Sequence, residues 1–164
     1  MDSVALCTLL AQSLLARGWS MTTAESCTGG LIAASCTDLP GSSAWFERGF
    51  VTYSNASKTE LLGVPAALID AHGAVSEPVA RAMAAGALAR SSAQVSVAVT
   101  GIAGPSGGSP DKPVGLVWFA WSVDHAVESE SRVFVGDRAR IRALTTAHAL
   151  QGLLARITKA AAAS

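Results

Sequence analysis

The alternation of apolar and polar positions divides the chain into helical and strand-like segments. Apolar residues at helical spacing predict helices over residues 4–17, from 28 to before 40, over 55–62, 65–71 and 77–90, and after 137. Short runs rich in β-branched or aromatic residues predict strands around 21–24 and over 46–53, 95–99, 114–123 and 132–135. This order predicts an α/β fold, a single domain over residues 1–164 with a mixed β-sheet and helices on both faces. The sheet is mixed because adjacent strands near the C-terminus can pair as a hairpin.

Composition and charge narrow the class of protein. With 164 residues, half of them apolar, the chain is long enough for one well-buried domain and too short for two ordinary ones. Twelve basic residues are matched by twelve acidic ones, so no global charge attracts nucleic acid or an anionic membrane. No apolar run approaches the roughly 20 residues that span a bilayer, and the N-terminus lacks a signal-like region. We expect a soluble, cytoplasmic protein with no nucleic-acid or membrane partner.

The three cysteines carry little chemistry of their own. Cys7, Cys27 and Cys36 are odd in number and lack metal-ligand spacing, which argues against both a disulfide framework and a zinc site. Cys7 and Cys36 lie in apolar helical patterns, so we expect them in the core.

The most informative segment is TAESCTGG, residues 23–30, where a strand gives way to a helix. Thr28 is the predicted N-cap of that helix, and Gly29 and Gly30 let the backbone come close to a ligand. Unpaired N–H groups at a helix start attract an anion or a developing oxyanion. The same residues could also make an ordinary capped helix after a tight turn.

Lys58 is the second unusual residue. Asn55 is the predicted N-cap of its helix, which places Lys58 in the first turn, where the helix dipole disfavours a cation. A base working near neutral pH would need its pKa lowered by about 3 from the ordinary value of roughly 10.4. Such a neutral amine could take the proton from a serine hydroxyl. An ordinary solvated lysine is the alternative.

Two further segments suit a bound anion. The Gly- and Pro-rich stretch 101–113 directly follows a predicted strand, where α/β domains bind ligands, although it lacks a nucleotide-triphosphate loop motif. Asp137 is a predicted cap of the last helix, and Arg138 and Arg142 share one helix face, where guanidinium groups suit a phosphate. The alternatives are a flexible surface loop and a solvated basic face, and Arg140 lies off that face.

Six strings resemble, in this order, the C-terminal domain of the CinA (competence/damage-inducible) family in its stand-alone form. They are TAESCTGG, PGSSAWFERGFVTYSNASK, HGAVSEPVA, VTGIAGPSGG, KPVGLVWFA and GDRARIR, and the likeness runs from about Arg17 to the last helix. The resemblance implies deamidation of nicotinamide mononucleotide to nicotinic acid mononucleotide and ammonia, in pyridine-nucleotide salvage. It implies a small-molecule nucleotide as substrate, no metal or other cofactor, and, together with the apolar composition, a homodimer or higher homo-oligomer.

The resemblance also implies roles for particular residues. Ser26 would be the nucleophile, Lys58 its base and Tyr53 a hydrogen-bonding partner. The implied substrate-binding residues are Glu25, Thr28, Gly29, Gly30, Ser42, Thr100, Gly101, Gly104 and Arg142, the last facing the phosphate. Glu25 could instead steady the Lys58 ammonium or close a hydrogen-bonded turn, and Cys27 is an alternative nucleophile. A catalytically silent nucleotide-binding or regulatory module of the same family is the alternative function.

Overall fold

Six helices and five strands make up the chain, and the structure, a computed structural model, describes all residues from Met1 to Ser164. The helices are α1 (Ser3–Ala16), α2 (Leu31–Thr37), α3 (Asn55–Leu62), α4 (Ala66–His72), α5 (Glu77–Ala89) and α6 (Arg138–Ala163). The strands are β1 (Met21–Glu25), β2 (Phe46–Val51), β3 (Val95–Gly101), β4 (Leu116–Val123) and β5 (Ala126–Val133). A short 3-10 helix, Ser42–Ala44, precedes β2.

All five strands form one mixed sheet in the order β2-β1-β3-β4-β5. β1 pairs in parallel with β2 and β3, whereas β3, β4 and β5 pair antiparallel. Helices α1, α2 and α6 enclose a cluster of 19 buried apolar residues on one face, and α3, α4 and α5 cover the other face. The predicted α/β fold class, with a mixed sheet and helices on both faces, is therefore confirmed. None of the helices combines the length and the apolarity needed to cross a membrane.

The core follows the predicted apolar pattern. Strand β3 is buried along its length except at Gly101, because helices cover both of its faces. Cys7 and Cys36 are fully buried, as predicted, and all three cysteines are free thiols. The predicted elements agree with the observed ones to within a few residues, with one exception.

That exception is the last strand, predicted over residues 132–135 but observed as β5 over Ala126–Val133. A two-residue turn at Asp124 and His125, both at positive φ, joins it directly to β4. β5 is an edge strand with polar residues on both faces, so its sequence carries little apolar alternation. The prediction was wrong because cross-strand pairing with the buried β4 defines this strand.

Gly86 sets how closely α5 approaches α3, the helix that carries Lys58. A Cβ at this position would lie 2.0 Å from the backbone oxygen of Leu62, at the end of α3. Backbone cannot give way as a flexible side chain can, so we expect Gly86→Ala to lower the free energy of unfolding by about 2–3 kcal/mol. Urea unfolding measures the change, with Ala85→Ser on the exposed side of the same helix as control. Equal stability of the two variants would contradict this packing.

Candidate active site

The site lies where the carboxyl ends of the three parallel strands meet. Ser26 directly follows β1, and its backbone N–H donates to the carbonyl of Val99 in β3. β2 leads through residues 52–54 into α3, which carries Lys58. Ligands of open α/β sheets bind at this edge, outside the carboxyl ends of the strands.

Ser26 and Lys58 form a hydrogen-bonded pair. The distance between Lys58 Nζ and Ser26 Oγ is 3.1 Å, and Nζ also donates to the carbonyl of Thr52 at 2.8 Å. A longer contact of 3.4 Å joins Nζ to the carbonyl of Tyr53. A neutral lysine has two N–H groups and one lone pair. With both N–H groups on carbonyls, the lone pair is left for the serine hydroxyl.

Lys58 is buried without a compensating negative charge. It is 1% exposed and forms none of the salt bridges in the protein. Burial lowers the pKa of Lys58 below its ordinary value of 10.5, because the charged form loses its hydration. The prediction that Asn55 caps this helix was wrong, since Ser54 caps α3 through the N–H of Ser57.

Glu25 caps α2, and the prediction that Thr28 does so was wrong. The N-cap is Gly30, at φ 108°, and it has no side chain to accept a bond. One Glu25 carboxylate oxygen accepts from the N–H groups of Gly30 (3.2 Å) and Ile32 (2.9 Å), and the other from that of Ala33 (3.1 Å). The Thr28 hydroxyl also donates to this carboxylate, at 2.5 Å. Glu25 therefore closes the turn and forms no ion pair with Lys58.

A cavity of about 290 Å³ opens above the Ser26–Lys58 pair, at the lower end of the roughly 300–1,000 Å³ of small-molecule sites. Of the residues predicted to form the site, the cavity is lined by Ser26, Tyr53, Lys58, Thr100, Gly101 and Gly104. The predicted residues that do not line it are Glu25, Thr28, Gly29, Gly30, Ser42 and Arg142. The structure therefore brings together Ser26, predicted as the nucleophile, Lys58, predicted as its base, and the loop after β3, and it leaves the other candidates outside.

The residues outside the cavity have identifiable positions. Ser42 begins the 3-10 helix before β2, at the amino ends of the parallel strands, so the length of β1 separates it from Ser26. Gly29 and Gly30 lie in the turn before α2, and their N–H groups donate to Ser26 O and to the Glu25 carboxylate. Those two amides are therefore already paired within the protein.

Arg138 and Arg142, one helical turn apart, have different surroundings. Arg138 lines the cavity, where its guanidinium donates to the carbonyl of Gly104 at 2.8 Å and to the hydroxyl of Tyr53 at 2.9 Å. Arg142 instead donates to the carbonyls of Cys27 and Thr28. The guanidinium at the cavity is therefore that of Arg138. The sequence pattern indicated Arg138 and Arg142 together as phosphate ligands and did not distinguish between them.

Cys27 also lines the cavity, next to Ser26. Burial raises the pKa of the Cys27 thiol to about 11, so at neutral pH it stays protonated. A thiol attacks as the thiolate, which this environment disfavours. No group of three or more His, Cys, Asp or Glu side chains is arranged to hold a metal ion.

Several lining residues were not among the predicted ones, for example Asn55, Val75 and Ser106. Asn55 occupies the first position of α3, and Val75 lies in the connection between α4 and α5. Ser106 belongs to the Gly- and Pro-rich stretch that was itself a candidate. Val75 has no polar group, so only its position in the fold could identify it.

Fold and site together define an α/β domain with a serine–lysine pair in a cavity at the carboxyl edge of its sheet. Residues 4–157 match the family model of the CinA C-terminal domain. The chain belongs to this family.

Similar proteins cover most of the chain. "Nicotinamide-nucleotide amidohydrolase PncC" of Pseudomonas putida is 56% identical over 149 residues, covering 91% of this chain and 93% of that protein. The protein of the same name from Escherichia coli K12 is 54% identical over 143 residues, covering 87% of both chains. A CinA superfamily protein from Klebsiella pneumoniae superposes with a TM-score of 0.93 at 36% identity, covering 97% of this chain and 99% of that one.

Proposed function

We propose that this chain is a hydrolase that converts nicotinamide mononucleotide to nicotinic acid mononucleotide and ammonia by a serine–lysine mechanism. The observation that carries the proposal is the buried, uncompensated Lys58 amine 3.1 Å from the Ser26 hydroxyl at the base of the cavity. A buried lysine without an acidic partner costs stability, and its lowered pKa suits a general base. The amidohydrolases that are similar over most of this chain supply the substrate class.

The mechanism has two halves that use the same pair. Neutral Lys58 takes the Ser26 hydroxyl proton while the serine oxygen bonds to the carboxamide carbon. The carbon–nitrogen bond then breaks, and ammonia leaves with the proton that Lys58 returns. Water attacks the resulting ester with Lys58 again as base, so that the acid is released and Ser26 regains its proton.

Charge on the carboxamide oxygen needs N–H donors that are still free. The amides of Gly29 and Gly30 are bonded within the protein, whereas that of Cys27 has no backbone acceptor. The amide of the residue after a nucleophilic serine is a common oxyanion donor in hydrolases that place the serine between a strand and a helix. The amide of Cys27, which lines the cavity, therefore replaces the glycine amides in the mechanism.

The other end of the cavity suits a phosphate. The amides of Ala103, Gly104, Ser106 and Gly107 have no acceptor within the protein, and Arg138 adds a guanidinium at the rim. Successive free amides and an arginine are typical ligands of a phosphate group. This arrangement supports a nucleotide rather than free nicotinamide as the substrate.

Arg138 is expected to contribute to substrate binding rather than to the chemical step. Loss of a charge-assisted bond to the phosphate costs about 1.5–3 kcal/mol, so Arg138→Met should raise KM roughly 10–100-fold with little change in kcat. Initial rates of ammonia release at varied nucleotide concentration measure this, with Arg140→Met as the matched control. Arg140 forms no side-chain hydrogen bond or salt bridge. An unchanged KM would place the phosphate elsewhere.

Pyridine-nucleotide salvage is the pathway we propose for this reaction, because the product is a nicotinate nucleotide. The cytoplasmic location and the homodimer or higher homo-oligomer stay predictions.

A nucleotide-binding module without turnover is the second candidate, since the cavity alone would serve it. A protein that only binds a nucleotide does not need a buried lysine amine hydrogen-bonded to a serine hydroxyl. The deciding experiment is ammonia release from nicotinamide mononucleotide by the purified protein, with chelator present, comparing the wild type with Lys58→Met. Turnover that the substitution abolishes supports the hydrolase. No turnover by folded wild type that still binds the nucleotide supports the module.

A further inference from the structure

One guanidinium holds the turn that carries the nucleophile, residues 26–30. Arg142 on α6 donates from Nε to the carbonyl of Cys27 and from Nη2 to the carbonyl of Thr28, each at 3.1 Å. It forms no salt bridge and does not line the cavity. Its planar donors therefore bind two consecutive peptide groups of the chain itself.

These bonds hold the backbone next to the nucleophile. Arg142 binds the carbonyls of Cys27 and Thr28, so the two residues that follow Ser26 are tied to α6. Cys27 lines the cavity, and its N–H has no backbone acceptor. The direction of the Cys27 amide therefore depends on the position of the turn that Arg142 holds.

We propose that Arg142 is a positioning residue that holds the turn of residues 26–30, so that the amide of Cys27 is directed at the oxyanion. The inference rests on the proposed function, and it deepens the mechanism. It also replaces the expectation that Arg142 faces the substrate phosphate. Arg138 and the free amides of the loop after β3 are left for that role.

The two roles of Arg142 predict different kinetics. Removal of one oxyanion donor costs about 10²–10³ in kcat, and a donor that is only loosened costs less. We expect Arg142→Met to lower kcat roughly 10–100-fold while KM and the Kd for nicotinic acid mononucleotide stay unchanged. A phosphate ligand would instead give a weaker Kd with kcat preserved.

The experiment compares Arg142→Met, Arg142→Lys and the control Arg140→Met. Ammonia release measures kcat and KM, and titration calorimetry with nicotinic acid mononucleotide measures Kd. Arg142→Lys keeps the charge but lacks the two-pronged donor geometry, so it should recover only part of kcat. It also serves if Arg142→Met fails to fold. Unchanged kcat in both variants, or a Kd at least tenfold weaker, overturns the proposal.

A separate readout does not depend on turnover. In ¹⁵N-labelled protein the amide resonances of Cys27 and Thr28 should shift in Arg142→Met and stay in place in Arg140→Met. If the wild type releases no ammonia, the proposed function fails. The resonance shifts still test whether the two Arg142 hydrogen bonds hold the turn of residues 26–30. Resonances that do not move in Arg142→Met overturn the positioning role even where turnover is normal.

Discussion

Ser26→Ala and Lys58→Met are each expected to remove nearly all ammonia release, by roughly 10⁴-fold or more, with little further loss in the double variant. The reason is that the hydroxyl and the amine, 3.1 Å apart, act as one unit: neither attack nor proton transfer proceeds without both. Steady-state rates of the two single variants and the double variant measure the coupling. Lys159→Met removes an exposed lysine on α6 and is the matched control. Losses that multiply in the double variant would contradict a shared pair.

The pH dependence should follow from the same pair. Burial lowers the pKa of Lys58, so the active neutral amine forms at a lower pH than that of an exposed lysine. We expect kcat/KM to rise with pH and level off below 10.5, the ordinary value. Lys58→Arg stays charged and should be inactive across the range. A profile that still rises beyond 10.5 would show that Lys58 is not the titrating base.

The free energy of unfolding should also depend on pH because of the lowered pKa of Lys58. Between the lowered native pKa and 10.5 the unfolded chain binds more protons at Lys58 than the native chain does, so this residue makes stability rise with pH there. Lys58→Met removes the cost of burying the lysine amine, and it also removes this dependence of stability on pH. We expect this inactive variant to be about 1–2 kcal/mol more stable than the wild type at neutral pH, a trade between activity and stability.

Glu25→Ala is expected to lower the free energy of unfolding by about 3–4 kcal/mol. Its carboxylate accepts three backbone N–H groups at the start of α2 and the buried Thr28 hydroxyl. Buried donors left without a partner cost about 1–3 kcal/mol each, and water can reach only some of these. Urea unfolding measures the loss, and activity should fall with it because Ser26 lies in the same turn.

Two comparisons sharpen the Glu25 test. Glu25→Gln keeps one oxygen, but its amide N–H₂ faces the N–H of Ala33, so we expect an intermediate loss of about 2 kcal/mol. Glu60→Ala removes an exposed carboxylate from α3 and should change stability by less than about 0.5 kcal/mol. A Glu25→Ala variant as stable as Glu60→Ala would show that the carboxylate does not cap α2.

Most of the fold was predictable from local patterns. Helices such as α1 and α5 and the buried strand β3 follow apolar spacing, which reflects which face of each element is covered. β5 was misplaced, because an edge strand with polar faces lacks that signal and is defined by its partner β4.

Some features of the site were likewise predictable from local sequence, and others depend on the tertiary structure. The sequence by itself indicated the segment 23–30 and Lys58, a lysine in the first turn of a helix, and the resemblance to the CinA family selected Ser26 within that segment. It could not show that Glu25 caps α2, since three of its partners lie five, seven and eight residues away. Nor could it separate Arg138 from Arg142, which share a helix face about 6 Å apart along the axis. Only the packing of α6 against the turn after β1 directs one guanidinium to the cavity and the other to the backbone. Hydrogen bonds and burial act over a few ångströms in space, so positions distant in sequence decide them.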